Sequence, residues 1–228
     1  IRSGFSNLLC TPNGILQRKL ARLCFEELGD AFHVFVLGQV SYPFQIAVKL
    51  GIKLVFYGEN GDVEYAGNPE DRDKPFKPPE EWVKTNFKGT TFQDLIEYGL
   101  NNKDYFKTDD FTESDLIFYQ PPTLNEMDRA GIVGRYYYSY YHKWTPQENY
   151  YYCVENTGFK PNPLRTEGTY SKYASLDDKM DGFHYYLRYI KFGLGRCMED
   201  AAHEIRDGHI TREEGIALMT RYEGEFPK

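Results

Sequence analysis

Basic residues are not in excess. The chain has 27 Lys and Arg against 34 Asp and Glu in 228 residues, for a net charge of -7. Nucleic-acid binders draw affinity from basic patches, so that class is disfavoured. Cysteine is scarce. The four, at 10, 24, 153 and 197, form no CxxC pair and no finger-like spacing, which argues against a structural zinc module or a disulfide framework. In their apolar or helical contexts they are expected to be reduced and buried, as in a cytoplasmic protein. No apolar run approaches the roughly 20 residues that span a bilayer, and no signal-peptide pattern opens the chain. An initiator Met is lacking too. Ile1-Arg2-Ser3-Gly4-Phe5 reads like a helix end entering a strand, and the chain is expected to be the later part of a larger protein.

The length suffices for one or two domains with a substantial core. The pivotal stretch is Leu54 to Gly67, LVFYGENGDVEYAG. Four apolar residues stop at Gly58, as in a buried strand of a parallel sheet. Ligands of open α/β sheets bind beyond the carboxyl ends of such strands, which is where Glu59, Asn60, Asp62 and Glu64 fall. Carboxylates and an amide oxygen are hard ligands suited to Mg²⁺ on a nucleotide phosphate. A solvated acidic turn is the competing reading, because Asn-Gly and Gly-Asp favour turns.

Asn7 to Cys10 is a short strand candidate. Ile15 to Leu28 has a helical stripe in Leu16, Leu20, Leu23 and Cys24, an Arg22–Glu26 pair on its surface, and Gly29 to end it. Phe32 to Leu37 is apolar throughout, and its periodicity decides nothing. Phe44 to Leu50 reads as a helix started by Pro43 and ended by Gly51. Strand, helix, helix, strand is the grammar of a parallel sheet. Four prolines between Asn68 and Pro79 predict a loop, either a lid or a plain connector. Thr91 to Tyr98, Thr112 to Leu116 and Leu124 to Ala130 read as short helices.

Tyrosine is abundant, with 20 residues. Tyr136 to Trp144 has high β propensity. Its rings, with Tyr150 to Tyr152, suit a core, a subunit contact or a sugar surface. Pro146 should begin a helix that runs to about Thr157. Farther on, Leu176, Met180, Phe183, Leu187 and Ile190 form a predicted core stripe. Asp177, Asp181, His184 and Arg188 share another face, solvated or functional. Lys191-Phe192-Gly193-Leu194-Gly195-Arg196 brings two cations together around glycines, which either turn the chain or let phosphate oxygens approach. A helix then resumes with Met198, Ala201, Ala202 and Ile205 facing in. Thr211 and Glu214 make a capping box for the last helix.

Several blocks together resemble a known family. Gly38 to Tyr65 resembles the second half of a PP-loop ATP pyrophosphatase, where a helix feeds a strand ending in a Gly-x-Asn-like turn. Gly58-Glu59-Asn60 with Glu64-Tyr65, Pro146 to Tyr150, Glu167 to Tyr173, Asp177-Asp178-Lys179, Lys191 to Arg196 and Glu204 to Glu214 are similar to the N-acetyl sugar amidotransferases of the WbpG and PseA type. The likeness runs almost end to end. The family's Ser-Gly-Gly-x-Asp-Ser phosphate loop and its N-terminal Cys cluster are absent. So is a Cys pair that some relatives carry near Gln39 and Tyr42.

The resemblance implies an α/β fold with a parallel sheet of the adenine nucleotide alpha hydrolase (PP-loop) type, truncated at its N-terminus and followed by a mainly helical region. Its segments would be 1–67, 68–135 and 136–228. It implies ATP-dependent conversion of a sugar N-acetyl group to an acetamidino group in surface-polysaccharide or flagellin-sugar synthesis, with ammonia attacking an adenylated amide. ATP and Mg²⁺ would be cofactors. Glu59, Asn60 and Glu64 would be catalytic, with Glu59 and Glu64 as possible Mg²⁺ ligands. Gly58, Lys191 and Arg196 would hold the cofactor, and Tyr170, Lys172, Asp177 and Asp178 the sugar. Implied partners are a nucleotide-linked acetamido sugar, a glutaminase supplying ammonia, a cyclase-like protein and a second copy of the chain, with no nucleic acid or membrane. Two alternatives stay open: a non-catalytic fragment carrying a substrate or partner surface, and a PP-loop enzyme transferring sulfur to tRNA.

Overall fold

The computed structural model describes residues 4–65, 67–82, 87, 89–102 and 105–228. In chain order the helices are α1 (Gly14–Leu28), α2 (His33–Leu50), α3 (Gly61–Glu64), α4 (Phe92–Asn101), α5 (Glu113–Leu116), α6 (Leu124–Ala130), α7 (Tyr138–Tyr141), α8 (Pro146–Asn156), α9 (Asp181–Phe192), α10 (Arg196–Asp207) and α11 (Arg212–Tyr222). The strands are β1 (Val55–Tyr57), β2 (Phe76–Lys77) and β3 (Arg135–Tyr137). The chain forms two compact units, residues 1–53 with 80–132 and residues 54–79 with 133–228. The boundaries expected at 67 and 135 mark changes of composition, whereas the units break at 53, 79 and 132.

The first unit is helical. In α1 the side chain of Asn13 accepts from the N–H groups of Ile15 and Leu16, Leu16, Leu20, Leu23 and Cys24 are buried, and Gly29 closes the helix in the left-handed conformation. Such a closing position favours glycine because it has no Cβ to clash. The expected Arg22–Glu26 pair is present at 2.8 Å. Asn7 to Cys10 is not a strand: Leu8 and Leu9 are exposed and nothing pairs with the segment among the described residues. The reading of residues 1–5 as a helix end falls partly outside the described residues. Phe32 to Leu50 also departs from expectation. Pro43 does not begin a helix but lies inside α2. The ring removes one intrahelical bond, and tertiary packing keeps the helix whole. Val34, Leu37, Val40, Phe44 and Ala47 are buried, and the hydroxyl of Ser41 donates to the Tyr119 carbonyl at 3.0 Å. Thr91, Thr112 and Thr123 start α4, α5 and α6 through reciprocal side-chain and backbone bonds.

The second unit holds the sheet, in the order β1-β3-β2, with β1 parallel and β2 antiparallel to β3. The run at 54–57 is therefore an edge strand, not an internal one. Leu54 is 52% and Phe56 47% exposed. The register explains it. Phe56, Tyr136 and Phe76 align across the three strands, with ring centroids 5.8 and 5.3 Å apart, and this aromatic row is on the more open face. The opposite face carries Lys77 and Arg135, both nearly inaccessible, with Tyr57 and Tyr137. Alternation along a strand sends one set of side chains to each face, and here the charged set is inside. The Arg135 guanidinium lies 4.9 Å over the Tyr57 ring and donates to the Tyr137 hydroxyl at 2.9 Å. The Lys77 ammonium meets the Asp62 carboxylate at 2.7 Å. The proline-rich loop thus contains a two-residue strand after all. It is tolerated at the sheet edge, where a missing N–H costs no ladder bond. Tyr136 to Trp144 is a strand only as far as Tyr137 and then turns into α7.

Lys77→Met removes the partner of a buried carboxylate and should cost about 3–5 kcal/mol, read as a lower urea midpoint. Asp62→Asn in the same chain should restore part of the loss.

Candidate functional site

Three elements of the second unit converge on a cleft of about 360 Å³. The turn after β1 is the first. Asn60 caps α3, its side-chain oxygen accepting from the Asp62 N–H at 3.1 Å and its amide donating to the Ser139 hydroxyl at 3.3 Å. The Glu64 carboxylate reaches back to the Asn60 N–H at 2.5 Å. Asp62 accepts from the Asn68 N–H as well as from Lys77. Asn60 and Asp62 are thus engaged in shaping the turn, while Glu59, Glu64 and Tyr65 line the cleft. The Tyr65 hydroxyl donates to Glu59 at 2.5 Å.

α10 forms the second wall with Arg196, Glu199, Asp200, His203, Glu204 and Asp207. Residues 196, 200, 203 and 207 recur at i, i+4, i+7 and i+11, which puts them on one helix face. Arg196 donates to Asp200 at 3.2 Å and stacks 4.6 Å over the Tyr185 ring. Asp200 also accepts from the Thr169 hydroxyl at 2.5 Å. His203 Nε2 lies 2.9 Å from the Glu64 carbonyl, and its Nδ1 lies 3.0 Å from the Arg206 guanidinium. Guanidinium can only donate, so Nδ1 accepts and Nε2 carries the proton given to Glu64. This bond fastens α10 to the turn after β1. The third wall is aromatic: Trp144, Tyr150, Phe159 and Tyr173, with Tyr150 and Tyr173 stacked at 4.5 Å.

Burial governs the electrostatics. It pushes the Glu64 carboxyl up to about 8, aided by the nearby Glu59 charge and opposed by the Asn60 N–H and Arg196. Burial also raises Glu199, against the pull of Arg188, and raises Glu204. It lowers His203, keeping that ring neutral. For Arg196 burial works against the charge, but Asp200, Tyr185 and Asp181 outweigh it and hold the pKa above the ordinary value.

Of the expected site residues, Glu59, Glu64 and Arg196 come together here. Gly58 is exposed beside Glu59. Asn60 is a buried cap, at 1% exposure, and does not line the cleft. Lys191 does not face Glu59 across the cleft. It is exposed in the last turn of α9, its ammonium 5.5 Å from the Phe192 ring. Tyr170 is half-buried behind the wall, its hydroxyl without a hydrogen-bond partner among the described residues. Lys172 and Asp177 are exposed outside the cleft, and Asp178 caps the Met180 N–H at 2.6 Å. The predicted stripe of α9 is also corrected, since Met180 and Ile190 are exposed and Tyr185 is buried. Asp181, Tyr185 and Arg188 face inward instead, and Arg188 pairs with the buried Glu199. Trp144 belongs to the aromatic stretch for which a sugar surface was one expectation, whereas His203, Asp200 and Glu204 were not among the expected site residues. The i, i+4, i+7, i+11 run of titratable residues in α10 was the signal that could have found them.

The implied Mg²⁺ and ATP do not fit these residues. Glu64 is occupied by the Asn60 N–H and carries a proton at neutral pH. No group of three or more His, Cys, Asp or Glu is arranged for a metal among the described residues. A triphosphate would meet six carboxyl groups and a single Arg already paired with Asp200. None of the four cysteines is in a disulfide among the described residues, and two of them, Cys10 and Cys153, are only half-buried.

The second unit is thus a mixed-sheet α/β body whose helical part walls an acidic, aromatic cleft. Residues 167–228, which include α9, α10 and α11, match the family of LPS biosynthesis protein WbpG-like C-terminal domains. No curated protein matches the chain. No helix among the described residues is long and apolar enough to cross a membrane.

The pKa of Glu64 gives stability a sign. Between 4.5, the unfolded value, and about 8, the folded state holds a proton that the unfolded state has lost. Stability is greatest at the acid end of that window and falls as pH rises through it, by up to about 1.4 kcal/mol per pH unit. Glu64→Gln should flatten the fall, measured by urea denaturation across the window. An unchanged slope would place the carboxyl in water.

Proposed function

We propose that this chain serves an ATP-dependent amidotransferase of surface-polysaccharide synthesis, converting a sugar N-acetyl group to an acetamidino group, and that the cleft holds the acetamido sugar. The observation that carries the reading is the cleft itself. It sets carboxyl groups from two walls against Trp144, Tyr150 and Tyr173 within the unit that contains the LPS biosynthesis match. Aromatic faces cover the apolar side of a pyranose, and carboxylates accept its hydroxyl hydrogens.

An amide carbonyl is a poor electrophile. ATP would supply the chemistry that makes the amide oxygen a leaving group for displacement by ammonia. ATP and Mg²⁺ would be held by residues other than those of this cleft. The chain's own groups would bind and orient the sugar and manage protons. Glu64, with a pKa near neutrality, suits proton exchange with the attacking nitrogen. Glu59, at the cleft wall and bonded to Tyr65, would orient the substrate. A glutaminase, a cyclase-like platform and a second copy of the chain are the partners that this reading would add, in a cytoplasmic setting.

The lack of a phosphate grip favours one second reading: a substrate-carrying part whose catalytic groups lie elsewhere. Transfer of sulfur to tRNA is disfavoured by the acidic lining.

The test is release of AMP and pyrophosphate by the complete protein with ATP, a nucleotide-linked acetamido sugar and ammonium. Glu59→Gln should lower turnover by on the order of a hundredfold while changing stability by no more than about half a kcal/mol. Turnover near wild type would remove Glu59 from the site. Absence of any sugar-dependent AMP release would remove the reaction.

A further inference from the structure

We propose that the outward face of α9, with the Phe226 ring seated on it, is the surface on which a second copy of this chain docks, the two α9 helices packing antiparallel about a twofold axis. It rests on the reading above for the second copy alone and takes nothing from the cleft chemistry.

The first ground is the inversion of α9. Residues three, four and seven apart share a helix face. Asp181, Tyr185 and Arg188 are turned inward: Asp181 accepts from the Ser175 hydroxyl, the Arg196 guanidinium covers the Tyr185 ring, and Arg188 pairs with the buried Glu199. The opposite face carries Phe183, Tyr186, Leu187 and Ile190, preceded by Met180. By its periodicity this is a core stripe. Yet Ile190 is 60% and Met180 40% exposed, and Phe183, Tyr186 and Leu187 are only half-buried. An amphipathic helix ordinarily turns such a stripe to its own core. A contiguous apolar face left outside the core marks an interaction surface.

The second ground is that this face is held in place. Glu225 makes a two-pronged pair with the Arg165 guanidinium, 2.6 Å on each side, and accepts the Gly168 N–H at 3.0 Å. Arg165 also lies 4.5 Å over the Tyr222 ring. These contacts fix the segment that follows α11 against α9. Gly224 approaches the Tyr189 ring so closely that a Cβ there would be 2.5 Å from it, and Pro227 is buried beside Gly182. Between them the Phe226 ring is 60% exposed, in edge-to-face contact with Phe183 at 5.8 Å and Tyr186 at 5.1 Å. A large apolar ring ordered at the surface has little freedom left to lose when a partner covers it.

The plan of the face selects a second copy as the occupant. Met180 and Ile190 protrude at its two ends, with the half-buried Phe183 and Leu187 between them. That profile is alike from either end, as an isologous contact requires. The charges agree. Asp177 is exposed at the Met180 end with Asp178 beside it, and Lys191 is exposed at the Ile190 end. With the exposed Lys179 included, the first end keeps a net negative charge and the second a positive one. A copy turned end for end brings each Asp177 end to a Lys191 end, twice. A membrane surface fits less well, since such helices keep a cationic polar face towards the headgroups, whereas the charged face of α9 is turned into the protein. At roughly 150–250 Å² for a large side chain, the exposed parts of the face come to on the order of 400 Å² per copy. With its flanks, a twofold contact would bury about 1,000 Å², enough for a specific but weak dimer.

The measurement is sedimentation equilibrium of the complete protein across the micromolar range. The wild type should pass from monomer to dimer as concentration rises. Ile190→Glu and Phe226→Glu change exposed residues that enter the contact twice. Each should raise the dissociation constant by about tenfold or more and leave the urea midpoint unchanged. Asp177→Lys and Lys191→Asp should each weaken the dimer by setting like charges together, and both in one chain should restore it, because the ends have then exchanged signs. A protein that stays monomeric, a dimer that neither Glu variant weakens, or single reversals that the double variant does not rescue would overturn the proposal. So would a monomer that sediments with anionic lipid vesicles, which would make the face a membrane surface. Failure of the amidotransfer assay leaves the dimer standing. Conversely, a monomer that releases AMP in a sugar-dependent way removes this surface alone.

Discussion

The second unit depends on one buried ion pair, Lys77 with Asp62. Both side chains are over nine-tenths buried, and a charge in such a place persists only when matched. The pair joins β2 to the turn that follows β1. Asp71 adds a weaker contact at 3.8 Å, and Asp62 also accepts the Asn68 N–H. With the turn held, Asn60 caps α3, Glu64 folds back onto the Asn60 N–H, and the Glu64 carbonyl is presented to His203. The cleft follows from that sequence of attachments. One wall is the turn, and the other is the helix to which His203 belongs.

The same constraint explains why the sheet is charged on its buried face. Lys77 lies in register with Arg135, and both point to the side where the turn's carboxylates are. The aromatic row Phe56–Tyr136–Phe76 is left on the open face by the period-two alternation. Hydrophobic burial alone would choose the opposite arrangement. The ion pair matches Lys77, and Arg135 is held between the Tyr57 and Tyr137 rings and bonded to the Tyr137 hydroxyl.

Local chemistry was legible in the sequence, and the faces of the elements were not. Gly29, Gly51, Gly193 and Gly208 close helices in the left-handed conformation, and Thr211 with Glu214 forms its capping box, because caps are decided by a few neighbouring residues. Leu54 to Tyr57 is largely a strand, but its exposure depends on Lys77 and Arg135, which lie 20 and 78 residues beyond Val55–Tyr57. Pro43 inside α2 is tolerated through packing that propensity does not contain. Glu59 and Glu64 could be placed beside a cleft from the sequence because they follow the end of a strand, where clefts of such sheets open. Asn60 was misjudged because a capping side chain and a ligand-orienting one have the same chemistry and differ only in direction. Lys191 and Arg196 differ in the same way: the turn at Gly193 and Gly195 separates an exposed cation from a buried one.

The polar faces of α9 and α10 show what that direction implies. An amphipathic helix ordinarily turns its apolar stripe inward, yet α9 exposes Ile190 and Phe192 and buries Tyr185, with Asp181 and Arg188 on the inner side. α10 answers with Glu199, Asp200 and Arg196. Burying so many carboxyl groups destabilises their ionised forms, and Glu64, Glu199, Glu204 and Asp181 are all raised by burial first. An apolar interior of similar volume would avoid that cost. Fold stability alone therefore gives no reason for this arrangement, whereas a cavity that must accept polar groups does. Functional sites are where such perturbed groups collect, and here Glu64, Glu199 and Glu204 line one cavity, the last two on a helix that the LPS biosynthesis match includes.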